Sequence, residues 1–201
     1  MDKRKEEIIE IAIRRFSHYG FAKTTMNEIA DDLKITKANL YYYYPEKIGL
    51  IKDVIAYISQ DLIVDEERLV SGYNGDFLGT MFALLSFRAD HMRKYYMLYI
   101  NENLDWIKDH QFTEFIDEIE CKDLSVLQTL LHKAVDEGTL KLSNIEESTY
   151  VLRNIIKGLG LIHTIRDVIC GIPNKENIDK ILDSQISAIK LIFEERIVTN
   201  K

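Results

Sequence analysis

Residues 36–44 read Thr36-Lys37-Ala38-Asn39-Leu40-Tyr41-Tyr42-Tyr43-Tyr44. A lysine can donate to guanine O6 or N7, and an asparagine can pair bidentately with adenine. Tyrosine hydroxyls reach phosphate oxygens, and their ring faces can meet a thymine methyl. On a helix, Leu40 and Tyr44 are four residues apart and share one face. Lys37, Asn39, Tyr41, Tyr42 and Tyr43 then project elsewhere. The segment therefore carries the chemistry of a helix that lies in a DNA groove while two of its residues anchor it from behind.

Such a helix needs a scaffold. The apolar pattern of the 201-residue chain is helical almost throughout, as at Ile8, Ile11, Ala12 and Phe16, and no convincing alternating run predicts a strand. The expected fold is all-α with about nine helices: a three-helix N-terminal domain at 1–47, then a helical bundle at 48–201. Helix 1 is predicted over about 2–20, ending at Gly20 in a left-handed cap. Helix 2 opens at Thr25, where Thr25-Met26-Asn27-Glu28 forms a capping box. Thr36 caps helix 3, at about 37–44, and Pro45 leads into helix 4 near Glu46. The expected later helices run over about 76–91, 93–105, 111–137, 145–170 and 175–197. They are separated by turns at 71–75, Gly138 and Gly171-Ile172-Pro173.

The order and spacing of these residues resemble the DNA-binding domain of the tetracycline-repressor (TetR) family. The resemblance lies in Ala12, Phe16 and Gly20-Phe21, then Thr24-Thr25-Met26-Asn27-Glu28-Ile29-Ala30, then Ile35 through Tyr44, then Lys47 and Leu50. It covers about a quarter of the chain and implies a homodimeric repressor whose C-terminal domain binds a small ligand and dimerises through its last two helices. By the same resemblance, Thr25 contacts a phosphate; Asn27, Lys37, Asn39 and Tyr42 lie near bases; and Tyr41, Tyr43 and Lys47 meet the backbone. Thr36 completes the expected DNA-binding set. The sequence departs from the family at Lys34, where a turn glycine is usual; a left-handed conformation there costs about 1 kcal/mol. The tyrosine run also stands where the family often has a histidine.

Other chemistry is sparsely supported. The five histidines show no HExxH spacing and no paired ligands, so no metal, cofactor or catalytic residue is expected. Cys121 and Cys170, far apart with no CxxC, fit a reducing cytoplasm and read as buried small residues. No apolar run reaches the roughly 20 residues of a membrane helix. Aromatic residues crowd the middle of the chain, and an apolar, aromatic-tolerant effector pocket is expected among helices 5 to 8. Its candidate residues are Phe82, Phe87, Tyr99, Trp106, Phe112, His132 and Asn154, with Arg153 and His163 as further polar candidates. Wide apolar stripes on helices 8 and 9, including Ile155, Leu159, Ile162, Ile186 and Ile189, predict a C2 dimer interface, and Gly158 and Gly160 suit close helix approach. A helical enzyme with an apolar substrate and a helical protein adaptor are the competing readings. Turnover without DNA affinity would mark the first, and indifference to Lys37→Ala and Asn39→Ala the second.

The formal net charge is −7, which taken whole argues against DNA. Residues 1–52 nevertheless hold 10 Lys+Arg and 8 Asp+Glu, a net +2, and the rest hold 16 and 25, a net −9. The total excludes only a sequence-indifferent nucleic-acid packer. Arg14, Arg15, Lys23, Lys37 and Lys47 are the cations expected to meet phosphates.

Overall fold

The structure is a computed structural model that describes residues 2–99, 110–170 and 174–197, without the side chains of 97, 99, 110–112, 166 and 168–170. Among the described residues the chain is helical, with one isolated antiparallel bridge, Leu140 to Ile197. The helices are α1 (Lys3–Lys23), α2 (Met26–Asp32), α3 (Lys37–Tyr43), α4 (Lys47–Ser71), α5 (Phe77–Lys94), α6 (Tyr96–Tyr99), α7 (His110–Asp136), α8 (Ile145–Cys170) and α9 (Glu176–Phe193), followed by a short 3-10 turn at Glu194–Arg196. The helix expected over 93–105 is divided between the end of α5 and α6; residues 100–109 of it lie outside the described residues.

Two compact units emerge. The first draws on Met1–Asp61, Tyr95–Ile119 and Asp167–Pro173, and the second on Leu62–Lys94, Glu120–Arg166 and Asn174–Lys201. Each has its own apolar core. The first core holds Ile8, Ala12 and Phe16 of α1, Ile29 of α2, Leu40 of α3 and Leu50 and Val54 of α4, with Tyr95 and Leu98 from α6 and the residue before it. The second is built on Phe77, Met81, Leu84, Leu127, Leu130, Leu131 and Ile189, and Phe77 meets Phe193 edge to face at 5.0 Å.

Local chemistry sets the corners of the first unit. Asp2 starts α1 by accepting the Arg4 N–H at 3.0 Å. Gly20 does not end this helix in a left-handed cap, as expected. Its φ of 79° and ψ of 169° lie in a region open only to glycine, and the helix resumes through Lys23. That break swings Phe21 back onto Phe16, with ring centroids 4.9 Å apart. The buried Thr24 hydroxyl then donates to the Gly20 carbonyl at 3.0 Å.

The turn after α2 is a Schellman motif. The Ile35 N–H donates to the Ala30 carbonyl and the Lys34 N–H to that of Asp31, both at 3.0 Å. This places Lys34 at φ 54°, the left-handed position foreseen for it. Gly138, at φ 71°, closes α7 by the same pattern of bonds, from Gly138 to Val135 and Thr139 to Ala134.

Cys121 is exposed on α7 rather than buried, because its stretch of the helix faces outward while Val126, Leu127, Leu130 and Leu131 turn to the core. The Cys170 side chain lies outside the described residues. An added Cβ at Gly158 or Gly160 would meet nothing within 4 Å. Close packing against the described residues is therefore not the reason for those glycines.

Replacing Lys34 with glycine relieves about 1 kcal/mol of left-handed strain, partly offset by the greater freedom of the unfolded chain, and should raise stability by about 0.5 kcal/mol. Gly20→Ala should lower it by about 1–3 kcal/mol. Urea unfolding midpoints read both changes, and a shift in the opposite sense for either would contradict these backbone assignments.

Candidate nucleic-acid interface

α3 is only seven residues long, so its orientation depends on what holds it. Thr36 caps it by accepting the Asn39 N–H at 3.2 Å. Leu40 is 0 % exposed and Tyr44, the residue after the helix, 3 %. The Tyr44 hydroxyl donates to Asp53 on α4 at 2.8 Å, and the Lys5 ammonium lies 5.2 Å from the ring centroid. Burial and the neighbouring Asp53 carboxylate push the Tyr44 phenol well above its ordinary range. α3 is thus pegged from behind by one aliphatic and one hydrogen-bonded aromatic side chain.

The opposite side is open. Thr36, Lys37, Asn39, Tyr41 and Tyr42 are exposed, Tyr42 at 82 %, and Tyr43 is half-buried against the first core. The Lys37 ammonium lies 5.5 Å from the Tyr41 ring centroid, one helical turn on. Tyr42 and Tyr43 meet edge to face at 5.3 Å. α3 has no acidic residue. Of the nine expected DNA-binding residues, Lys37, Asn39, Tyr41, Tyr42 and Tyr43 therefore belong to one short helix with Thr36 at its start. Asn27 is exposed in the first turn of α2.

Two expected contacts are already engaged within the protein. Thr25 stands in a complete capping box: its hydroxyl accepts the Glu28 N–H at 3.3 Å, and the Glu28 carboxylate accepts the Thr25 N–H at 2.7 Å. The Thr25 hydroxyl also donates to that carboxylate at 2.9 Å, and the two donations from Thr25, backbone first, hold the Glu28 carboxyl below the usual carboxylate range. The start of α2 therefore already carries an anion of its own. Lys47 is half-buried, and its ammonium donates to the Phe21 carbonyl near the end of α1; burial pushes its pKa down.

Arg15 is also engaged within the protein, at its surface. Its guanidinium forks onto Asp32 at 2.6 and 3.2 Å and reaches Glu28 at 3.3 Å, clamping α1 to α2. The Arg15 hydrogen bonds hold Asp32 below its usual range. Formal charge counts Arg15 among the outward cations; only the tertiary contact shows what it does. Lys3, Arg14, Lys23, Lys34 and Lys37 are the exposed lysines and arginines of the first three helices and the turns between them.

The remaining expected residues lie apart from this surface. Phe82 is half-buried beside the second core, with Lys190 over its ring at 5.5 Å, while Phe87, His132 and Asn154 are exposed. Trp106 and the side chains of Tyr99 and Phe112 lie outside the described residues. Arg153 pairs with Glu120, and His163 shares a 2.8 Å hydrogen bond with Ser184 of α9. Of the five expected dimer residues, Ile162 is 67 % exposed, Ile155, Leu159 and Ile186 are half-buried, and Ile189 is sealed inside the second core with no surface to offer a partner. Among the described residues, no group of three or more His, Cys, Asp or Glu side chains could hold a metal, and no helix is long and apolar enough to cross a membrane.

α1, α2 and α3, with a Schellman turn before a capped, outward-facing third helix, define a helix-turn-helix domain. Residues 8–54 match the model of the "Bacterial regulatory proteins, tetR family". The chain is 32% identical over 76 residues to the probable acrEF/envCD operon repressor of Escherichia coli K12, a match covering 37% of this chain and 34% of that protein. It therefore spans about a third of the length of the curated relatives it first matches. A transcriptional regulator from Cytophaga hutchinsonii shares the fold with a TM-score of 0.82 at 24% identity, covering 96% of this chain and 99% of that one. FadR of Bacillus subtilis, solved in complex with stearoyl-CoA, does so with a TM-score of 0.68 at 15% identity, covering 92% and 98%. Residues 8–54 are thus similar to the N-terminal domain of the tetR family of bacterial regulatory proteins, and the rest of the chain shares the fold of the solved regulators.

The Arg15 clamp makes a pH prediction. Glu28 and Asp32 titrate lower folded than unfolded, so their contribution to stability is present above the ordinary carboxylate pKa of about 4 and is lost as pH falls through the lowered folded values. The melting temperature of wild type should fall more steeply below about pH 4 than that of Asp32→Asn, which lacks one of these titrations. Parallel acid limbs would contradict the clamp.

Proposed function

We propose that the chain is a sequence-specific, ligand-responsive repressor that binds a palindromic operator as a homodimer. The outward face of α3, with Lys37, Asn39, Tyr41 and Tyr42 exposed above a buried Leu40, carries the reading. Lys37 and Asn39 supply the donors and acceptor suited to guanine and adenine edges. Tyr41, Tyr43, Thr25 and Lys47 serve the backbone, and Thr36 sets the start of the helix. Asn27 and Tyr42 lie near bases. DNA as partner makes the cytoplasm the site of action. The functional division is a reading head at 1–47 and a ligand-binding and dimerising body at 48–201.

Dimerisation is proposed through α8 and α9. Within the second unit, Val151, Leu161, Ile162 and Ile165 of α8 and Leu191 of α9 are large, apolar and exposed. A patch of this kind on a helical unit suits a self-complementary C2 contact. The effector is proposed to be small and mainly apolar or aromatic, taken up by the body. The FadR complex with stearoyl-CoA supports a ligand-binding role for this fold.

Release is a population shift: the effector acts by its differential affinity for two conformers. Two features support a path to the reading head. α4 is one continuous helix from Lys47 to Ser71. Inside the first unit, α6 packs on α1, and the buried Tyr96 hydroxyl donates to the buried Asp167 near the end of α8. A shift at either end of that bond reaches the core on which α3 rests.

Selection from a random duplex pool should enrich one palindrome. Asn39→Ala should relax its preference at one symmetric pair of positions by about 1–3 kcal/mol while leaving the rest of the motif intact. A pool that stays random, or an unchanged motif with Asn39→Ala, would overturn this reading.

The dimer makes a separate prediction. Light scattering at micromolar concentration should give a dimer for wild type and a monomer for Ile162→Glu; a wild-type monomer would refute the α8–α9 interface.

A further inference from the structure

Six charged side chains form a ladder of alternating sign inside the second unit. It runs from Glu66 of α4 to Arg88 of α5, Asp123 of α7, Arg153 of α8, Glu120 of α7 and Lys157 of α8. Side-chain exposure rises from 1 % at Glu66 to 44 % at Lys157. Three carboxylates face three cations, so the ladder as a whole is neutral. A buried ion pair adds little net stability, because lost hydration offsets the attraction. Burial indeed pushes the Glu66 carboxyl above its ordinary range, against the pull of Arg88. Fixing which helix is tied to which is the better-attested use of such groups.

The inner rungs are closed. Arg88 Nε donates to Glu66 Oε1 at 2.5 Å and its Nη2 to Oε2 at 3.1 Å. The same Nη2 lies 2.6 Å from Asp123 Oδ1. At the outer end, Glu120 pairs with Arg153 and accepts from Lys157 at 2.7 Å.

The middle rung is open. Arg153 Nε is buried without a hydrogen-bond partner among the described residues, and Asp123 Oδ2 lies 4.0 Å from it. A charge-assisted N–H···O bond spans about 2.7–2.9 Å, so the pair is about 1 Å short of bonding. Leaving a buried donor unpaired is costly. Asp123 is thus a carboxylate between two guanidiniums, bonded to one and just out of reach of the other.

We propose that Asp123 is a two-position switch whose carboxylate exchanges between Arg88 and Arg153. In the position of this structure, α7 is tied to the α4–α5 pair; in the other it is tied to α8. One charge-assisted bond breaks as another forms, which keeps the two positions close in free energy. Glu66 holds Arg88 when Asp123 leaves, and Glu120 holds Arg153 when Asp123 returns, so neither guanidinium is stranded. Two discrete arrangements follow, rather than a continuous slack. The switch lies wholly in the second unit and does not depend on the DNA-binding reading. It gives that unit the two states that a population shift requires.

Relaxation dispersion at the arginine Nε nuclei of the full-length chain tests it, since this method reads exchange on the microsecond-to-millisecond scale. Arg88 and Arg153 should exchange at one common rate. Glu120→Gln, at a half-exposed position, removes the charge that holds Arg153. It should raise the Arg153-bound population about two- to fivefold, the span of a partly exposed ion pair. Glu66→Gln should lower that population, because Arg88 then depends more on Asp123. Asp123→Ala leaves each guanidinium its other partner and should abolish the exchange at both. Flat profiles at Arg153 in both wild type and Glu120→Gln would overturn the proposal, as would exchange that survives Asp123→Ala. Should Asp123→Ala fail to fold, the two glutamine variants decide, and population changes of the same sign in both would overturn it.

Discussion

The burial of Leu40 and Tyr44 is the constraint on which the reading surface rests. α3 is too short to hold an orientation by its own backbone hydrogen bonds. Two side chains four residues apart, sunk into the core formed by α1, α2 and α4, determine which way the others point. The pegs are unequal. Leu40 depends on packing alone, so truncating it to alanine would cost about 2–5 kcal/mol. Tyr44 brings a hydroxyl into a half-apolar place, and Asp53 on the following helix accepts its hydrogen bond. Asp53 in turn lies 4.0 Å from Lys5 on α1. The back of α3 is therefore tied to both the first and the fourth helix.

The corners around this core are set by backbone conformation and by charge. Gly20 breaks α1 so that Phe21 folds back on Phe16, and Lys34 takes a left-handed conformation so that α2 stops and α3 departs at a new angle. Arg15 and Lys47 then secure the arrangement, one clamping α2 to α1 and the other holding the carbonyl of Phe21. The modestly basic balance of this region is thus divided. Some of its cations hold the scaffold, and Lys37 stands outward on the scaffold they hold.

Local features were legible in the sequence. The capping box at Thr25, the Thr36 cap, the Gly138 stop and the helical period needed only neighbours within a few residues, and each appears where expected. The strained Lys34 turn was also legible, from its departure from the family pattern. Features that depend on distant partners were not. Arg15 and Lys47 look like surface cations until Asp32 and the Phe21 carbonyl are beside them. Ile189 belongs to the same apolar stripe as exposed neighbours, and only packing shows that it is internal. Gly20 carried a turn signal, but its conformation depends on Phe21 finding Phe16. The charge ladder joins Glu66, Arg88, Asp123 and Arg153 from four helices, a juxtaposition with no trace in any one segment alone.

The central claim is that the outward face of α3 meets DNA. Backbone amide chemical-shift mapping during titration with a duplex carrying the selected palindrome tests it most directly. The account predicts that the largest shifts fall at residues 36–43 and in the first turn of α2, with Leu40 and Tyr44 keeping their buried environment. Shifts confined to the second unit, with α3 unperturbed at saturation, would contradict it.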